Sequence, residues 1–487
     1  MPKNSRLLTV LHLCSFLVFI YSLSMLVPVL VGLFYGEQVL SAFLITFGVG
    51  VLAGLAGWLS TLGNNRALRT RDGFLVAVLF WLLFSAVSAM PFYLDSRLNA
   101  SLADSVFEGI SGITTTGATV FADVDGLPKS ILFYRAQLNF LGGLGIIVLA
   151  LAVLPLLGIG GAKLYQSEMP GPQKEEKLTP RLADTAKHLW LIYSGLALLC
   201  TLSFYAAGMD WFDAICHALS TIALGGFSTR SASLAYYQND AIELVGGLFS
   251  LLAAVNFALY FMVIHRRTLL PLIRDPEFRF FILIATLVLG ATCIELARTQ
   301  TFGLWESFVH GFFQAASVMT DNGLGTVGYP AQWPPHVVVL LLGASYFGGC
   351  VGSTCGGIKA MRFLVLYRQS SREVRQLIHP NSVQATRIGE HAISERVVRS
   401  VWGLFFLYIF FACVFVWGLI ADGYDMATAF GTVSACINNM GIGYGDTAST
   451  FGGLSDFAKW LMSAAMLFGR LEIFPILVVF SATFWRF

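Results

Sequence analysis

Apolar residues run along this chain in blocks of roughly 20, the length that crosses the hydrocarbon of a bilayer, with short polar stretches between them. Two plain blocks come first, at 7–34 and 38–62. A compound pattern then repeats four times: a long apolar block, a short apolar helix with a glycine segment after it, and a second long block. The first unit places these at 74–94, 102–119 and 130–157, the second at 186–208, 211–229 and 240–265. The third has 279–298, 304–326 and 336–367, and the fourth 396–421, 424–444 and 455–485. The pattern predicts an all-α polytopic membrane protein of ten spans and four re-entrant loops. Only 159–185 and 368–395 are polar enough for substantial loops. The basic start (Lys3, Arg6) looks like a signal peptide, but the apolar run from Leu7 to Phe34 is too long for a signal core. No small-residue cleavage site closes it, so it reads as a retained anchor helix.

The short helices cannot span a membrane but can dip halfway in. The segments after them are Thr116-Gly117-Ala118-Thr119, Gly225-Gly226-Phe227-Ser228, Asn322-Gly323-Leu324-Gly325 and Met440-Gly441-Ile442-Gly443, with their glycines 109, 97 and 118 residues apart. Non-helical backbone at that depth is tolerated only where protein or a water-filled cavity surrounds it. Glycine lets successive carbonyls turn toward one axis, and a ring of carbonyls can replace the hydration shell of a cation. Membrane helices are rich in glycine, so one such loop carries little weight; four in matching context point to one pore. Unit two offers both Gly225 and Gly226. An apolar residue follows the glycine elsewhere (Ala118, Leu324, Ile442), so Phe227 favours Gly226, while Leu224 and Gly225 remain able to contribute carbonyls.

Composition agrees: 56% of residues are hydrophobic and 12% charged, with a mean hydropathy of +0.73, far from soluble averages. A formal net charge of +2 gives no sign of a nucleic-acid partner. The placement of charge says more. With the N-terminus inside, the inner segments 1–6, 64–73, 159–188, 265–279, 359–399 and the C-terminal end hold 23 of the 30 Lys and Arg residues, so the filter segments open outward. These basic loops act as topology signals and offer a second use as a docking surface for an acidic partner. The eight cysteines (Cys14, Cys200, Cys216, Cys293, Cys350, Cys355, Cys413, Cys436) lie almost wholly in apolar segments. No histidine pair stands near Cys350 and Cys355 at metal-ligand spacing, so neither a zinc site nor a disulfide framework is expected.

Acidic residues stand near the starts of the short helices: Asp104 and Asp213 lie 13 residues before their glycines, Glu306 17 and Asp425 16. Negative charge suits a helix N-terminus, and it also draws cations to a mouth. Asp321, beside the third filter segment, is the acidic side chain best placed to touch an entering ion. In unit three the second long block is interrupted by the run from Phe347 to Lys359, with glycines at 348, 349, 352, 356 and 357. Each glycine weakens a helix by about 1 kcal/mol relative to Ala. Walker spacing is absent, so a soft segment crossing the pore beneath the filter fits better than a phosphate cradle. Arg470 lies about 14 residues after Asp456, roughly 20 Å along the last block. A charge so placed costs on the order of 2.5–3.5 kcal/mol. A pair with Glu472 is one use for it, although residues two apart on a helix face each other poorly. A pore-facing Arg470 that bonds carbonyls of the glycine-rich segment is the favoured use, with Glu472 contacting a neighbouring helix.

With these residues in place, the chain resembles the Trk/Ktr/HKT superfamily of potassium transporters, most closely the bacterial TrkH-type subunit. The resemblance covers nearly the whole chain and includes the Ser111-to-Val120 stretch SGITTTGATV. It implies four pseudo-symmetric helix–pore-loop–helix units around one pore plus two leading transmembrane helices. The expected domains are 1–72 for the leading helices, 73–158, 159–278 and 279–395 for units one to three with their linkers, and 396–487 for unit four. By resemblance Gly117, Gly226, Gly323 and Gly441 are filter glycines, Gly348–Gly357 is an intramembrane gate loop and Arg470 is the basic residue beneath the filter. The full candidate filter adds Thr115, Thr116, Leu224, Gly225, Asp321, Asn322, Asn439 and Met440; the candidate gate is Gly348, Gly349, Gly352, Gly356, Gly357, Lys359 and Arg470. Serine at the first filter glycine goes with sodium transport in the plant branch, so Gly117 favours potassium. The resemblance also implies a homodimer, a cytosolic nucleotide-binding Trk regulatory subunit, and a bacterial inner-membrane location. K+ is then the transported ion, with no prosthetic group, and nucleotide is expected on the partner only.

Two rival classes fare worse. A secondary transporter with a midplane site calls for inverted repeats and unwound spans, whereas these units share one orientation. A membrane-embedded enzyme lacks His-Glu-x-x-His, Gly-x-Ser-x-Gly or clustered intramembrane carboxylates. Within the transport reading, proton- or sodium-coupled potassium symport is the alternative to passive uptake.

Overall fold

A computed structural model describes residues 4–38, 40–62, 70–152, 178–381, 385–389 and 391–486. Helices Asn4–Leu23 and Leu26–Phe34 form the first apolar block, and Ser41–Ser60 returns antiparallel to it. Small residues let these backbones approach: a Cβ at Gly54 would lie 2.7 Å from the Phe19 backbone nitrogen, and Gly50 and Gly57 sit against Ser22 and Ser15. A cluster containing Phe43, Trp81 and Tyr134 joins this hairpin to Thr70–Leu94 and Lys129–Ala152. The larger core, reaching from Phe107 to Ile473, ties the rest together.

The four short helices are Leu102–Ile113, Trp211–Ala223, Leu304–Met319 and Met426–Ile437. At 1.5 Å per residue they are roughly 18–24 Å long, short of a membrane crossing. Each begins at a capping signal. Ser101 and Asp104 form a reciprocal capping box, and Asp104 also pairs with Lys459 at 2.7 Å. Glu306 accepts from the Gly303 N–H at 3.1 Å, and Asp425 is itself the cap, accepting from Ala427 and Thr428. In the second unit Asp210 is the cap. The Asp213 carboxylate is buried and taken by Arg230, Thr229 and Tyr237.

The expectation of ten spans needs correcting in detail. Among the described residues six helices are long and apolar enough to cross a membrane: Leu7–Phe34, Ser41–Ser60, Asp72–Leu94, Lys187–Ala206, Pro276–Arg298 and Glu395–Ala421. Two bent helix pairs bring the number to eight if each is counted as one span: Asp240–Ala253 with Phe257–Arg266 at 87°, and Asp456–Arg470 with Phe474–Phe480 at 109°. Asn256 caps the second half of the first pair through Ala258, while Glu472 and Ile473 take positive φ at the second bend, just before Pro475. Only the unit-three break, between Pro335–Ser345 and Ala360–Ile378, was expected. The 130–157 block is described as Lys129–Ala152, and most of the 159–185 linker lies outside the described residues. The expected loop 368–395 is helical as far as Ile378. It continues the helix from Ala360, whose buried residues all lie at or before Gln369, so the polar composition beyond it reflects exposure and not a loop. A two-residue antiparallel hairpin, Arg387–Ile388 with His391–Ala392, completes this region.

Candidate ion-conduction site

Each short helix ends in the same way. Thr115, Leu224, Asp321 and Asn439 adopt left-handed conformations, with φ of 54°, 52°, 58° and 58°. The next N–H reaches back five residues in all four: Thr116 to Ser111 O (2.8 Å), Gly225 to Ser220 O (2.9 Å), Asn322 to Ser317 O (2.8 Å) and Met440 to Ala435 O (2.8 Å). These are Schellman-type terminations, which satisfy helix carbonyls that would otherwise be orphaned. A left-handed non-glycine residue costs about 1–2 kcal/mol, and the site carries four. Two residues beyond the start of each left-handed turn comes a positive-φ glycine: Gly117 (80°), Gly226 (73°), Gly323 (75°) and Gly441 (82°). Gly226, not Gly225, is therefore the unit-two equivalent, as the Phe227 register implied.

The four glycines touch one another in a closed cycle. A Cβ at Gly117 would strike Gly225 O, and one at Gly226 would lie 2.6 Å from Asn322 O. One at Gly323 would strike Met440 O, and one at Gly441 would strike Thr116 O. Each glycine thus abuts the carbonyl preceding the next unit's glycine, and the fourth closes on the first. Asn439 adds a side-chain link across that closure, donating to Thr116 Oγ1 at 2.9 Å. Thr115 Oγ1, Asp321 Oδ1 and Asn439 Oδ1 are buried at equivalent positions with no hydrogen-bond partner in the protein.

Behind the ring, one polar residue per short helix holds the returning strand, always nine positions before the glycine. Glu108 accepts from Val120 N–H at 3.0 Å, His217 bonds Ser228 Oγ at 2.9 Å, Gln314 accepts from Thr326 N–H at 2.9 Å and Thr432 bonds Thr447 at 2.7 Å. Glu108 is also paired with Arg135 at 2.8 Å in full burial, and Arg135 donates to Ser228 O at 2.9 Å, joining units one and two. None of these buttresses was foreseen. A charge inside an apolar block was the available signal. At the ends of the returning strands, Asp125 accepts from the Ser231 N–H and pairs with Arg230 at 3.6 Å. Partial burial works against its ionisation, yet the Ser231 and Arg230 contacts hold its carboxyl below the usual range.

The glycine-rich segment lies against the ends of three short helices. Thr354 Oγ1 donates to Ile222 O at 3.0 Å, Cys355 Sγ to Thr320 O at 2.7 Å, and Gly357 N–H to Asn438 O at 3.2 Å. Gly348, Gly352, Gly357 and Lys359 have positive φ; Gly349 and Gly356 do not, but a Cβ at Gly356 would strike Asn438 O. The Lys359 ammonium turns back onto Cys355 O. Glu277, 3% exposed, accepts from Val351 N–H at 2.7 Å and Met361 N–H at 3.1 Å and so pins both shoulders of the segment. The unit-two bend joins in, since Cys350 N–H donates to Ala254 O at 2.9 Å and Phe257 N–H to Gly352 O at 3.2 Å.

Arg470 is buried and donates to Thr354 O at 3.0 Å and Gly142 O at 3.3 Å. The expected carbonyl contact is present, but Arg470 ends its helix at the 109° bend instead of lying midway along a straight span. Glu472 pairs with Arg362 on the neighbouring helix Ala360–Ile378, not with Arg470. Asp321 also differs in placement: its carboxylate faces Cys355 and Gly357 of the glycine-rich segment, not the outer mouth.

Among the described residues no group of His, Cys, Asp or Glu is arranged to hold a metal ion. Four short helices whose glycine turns close into one ring, with a buried segment packed against the ends of three of them, define a multi-pass membrane protein of pore-loop architecture. The family model for TrkH, a cation transport protein, matches residues 39–486. The chain belongs to that family, which consists of transport proteins and not enzymes. It is 56% identical over 484 residues, 99% of this chain and 100% of the relative, to the Trk system potassium uptake protein TrkG of Escherichia coli (strain K12). It is 44% identical to the Trk system potassium uptake protein TrkH of Vibrio parahaemolyticus, over 98% of this chain and 99% of the relative. The crystal structure of the potassium transporter TrkH from Vibrio parahaemolyticus superposes with a TM-score of 0.92 at 41% identity, covering 100% of both chains.

Proposed function

We propose that this chain takes up potassium across a bacterial inner membrane through one pore, lined by four pseudo-symmetric loops and preceded by two leading helices. The observation that carries this reading is the closed cycle of glycine and carbonyl contacts from Gly117 through Gly226, Gly323 and Gly441. Carbonyls of Thr116, Gly225, Asn322 and Met440, with those of their left-handed neighbours Thr115, Leu224, Asp321 and Asn439, replace the ion's water. The potassium named in the relatives supports the choice of ion.

The segment Gly348–Lys359 acts as the gate. In its closed position Arg470 and Glu277 hold it, and the Arg470 and Lys359 charges oppose cation passage. The basic segments face the cytosol, together with the N-terminus, and receive a nucleotide-binding regulatory subunit; two copies of the chain form the transporter. Conduction is uniport-like. A potential of 100 mV supplies about 2.3 kcal/mol per charge, enough for roughly fiftyfold accumulation.

Flux into liposomes tests the reading. Potassium is expected to enter down an imposed potential with no proton gradient and to be favoured over sodium. Flux at zero potential that requires a proton or sodium gradient would instead establish symport, and equal sodium and potassium entry would remove the filter.

A further inference from the structure

Outside the pore, a groove of about 730 Å³ runs between Leu178–Ala206 and Phe257–Arg266. Along most of its length its walls are apolar and open to the outside of the helix bundle, with Leu191, Leu199 and Ile264 more than half exposed. At one end it meets His188, His265 and Arg267. Both imidazoles pack on Phe261, with ring centroids at 5.3 and 5.8 Å. Arg267 is exposed, closes its helix in a left-handed conformation, and makes no ion pair among the described residues. Arg266 and Lys187 stand beside this end. Basic residues at a helix C-terminus complement the backbone dipole and obey the topology rule, but neither role needs an apolar groove running from them.

We propose that this groove is a binding site for an anionic phospholipid, with acyl chain along Leu191, Leu199 and Ile264 and headgroup phosphate on Arg267 and His265. A basic pocket between helices at the membrane boundary is suited to such headgroups, and the bilayer that faces the groove supplies the ligand. A zwitterionic lipid offers the same chains without the net charge that Arg267 and its neighbours complement. The site is also joined to the gate segment. Tyr260, which lines the groove, donates to Leu252 O at 2.7 Å across the 87° bend, and Phe257 N–H bonds Gly352 O. Lipid in the groove therefore braces the bend on which the gate segment leans. The inference rests on the membrane fold and on the basic end of the protein facing the anionic leaflet. It does not depend on which ion passes, so its failure leaves the conduction reading standing.

The test is native mass spectrometry of the full chain in detergent, with added phosphatidylglycerol or phosphatidylcholine. The parent is expected to retain phosphatidylglycerol at least about fivefold better, the worth of the Arg267 charge, and His265→Gln with Arg267→Gln to remove that preference. Leu196→Trp, which fills the groove and leaves the basic end intact, is expected to reduce retention of the same lipid. Equal retention of both lipids, retention unchanged by the double substitution, or unchanged retention in Leu196→Trp would overturn the proposal. So would a thiol crosslink between two copies through Leu199→Cys that is absent with the native cysteines, because it would assign the groove to a second copy of the chain.

Discussion

Replacing Arg470 with Ala removes a charged side chain that donates, from the neighbouring unit, to a carbonyl of the proposed gate segment. Its Nη1 lies 3.0 Å from Thr354 O, and its Nη2 lies 3.3 Å from Gly142 O. A hydrogen bond to a charged group contributes about 1.5–3 kcal/mol net. The Thr354 bond exists only while the segment occupies its present position, which the proposed gating takes as closed, so on that reading its loss falls on the closed state alone. At about 1.4 kcal/mol per factor of ten, the closed-to-open ratio should drop roughly 10- to 150-fold. Removing the positive charge acts in the same direction. The assay is potassium flux into liposomes containing purified protein, at fixed potential and with no regulatory subunit, together with a thermal unfolding midpoint for each variant. Basal flux is expected to rise by at least an order of magnitude in Arg470→Ala. It should rise by only a few-fold in Arg470→Lys, which keeps the charge but not the two-pronged donor. Unchanged or lower flux in a variant that unfolds at the parental temperature would refute the gating argument.

Gly117→Ser places a Cβ at φ 80° against Gly225 O, so the ring must widen and the potassium-to-sodium permeability ratio is expected to fall; an unchanged ratio in bi-ionic flux would count against the filter assignment. Glu277→Leu leaves the part-buried N–H groups of Val351 and Met361 without that acceptor, at up to about 1–3 kcal/mol each. It should lower the unfolding temperature and raise basal flux, whereas Glu277→Gln keeps an acceptor oxygen and should behave close to the parent. Arg135→Met strands the buried Glu108 carboxylate and should destabilise by about 3–5 kcal/mol. Adding Glu108→Gln should recover part of that loss in denaturant or thermal unfolding, and no recovery would argue against the pair.

What the chain shows in advance depends on how local the determinant is. The positive-φ glycines of the ring are legible because few other residues tolerate a φ near 75°, and the residue after each one aligns the units, Phe227 included. The preceding left-handed turns are not legible. Thr115, Leu224, Asp321 and Asn439 share no side-chain chemistry, and their conformation comes from the Schellman bonds and the packing of the ring. The break at Phe347–Lys359 announces itself through five glycines. The bend at Ala254–Asn256 reads as helix because its freed backbone groups are satisfied by Cys350 and Gly352, about 100 residues away. The last bend was not read from the sequence either, although Pro475 stands in the first turn of Phe474–Phe480, a position where proline opens a helix. Arg470 and Glu108 stand out as charges in apolar surroundings, but their partners Thr354 and Arg135 are set by tertiary packing alone.

In the proposed conduction pathway, the ring of main-chain oxygens holds a dehydrated ion. Crystals grown in rubidium, a heavier stand-in for potassium, report on this through anomalous scattering. Peaks are expected on the common axis of Gly117, Gly226, Gly323 and Gly441, within coordination distance of the carbonyls of Thr116, Gly225, Asn322 and Met440. A well-ordered ring with no peak there, and rubidium bound elsewhere in the membrane region, would contradict it.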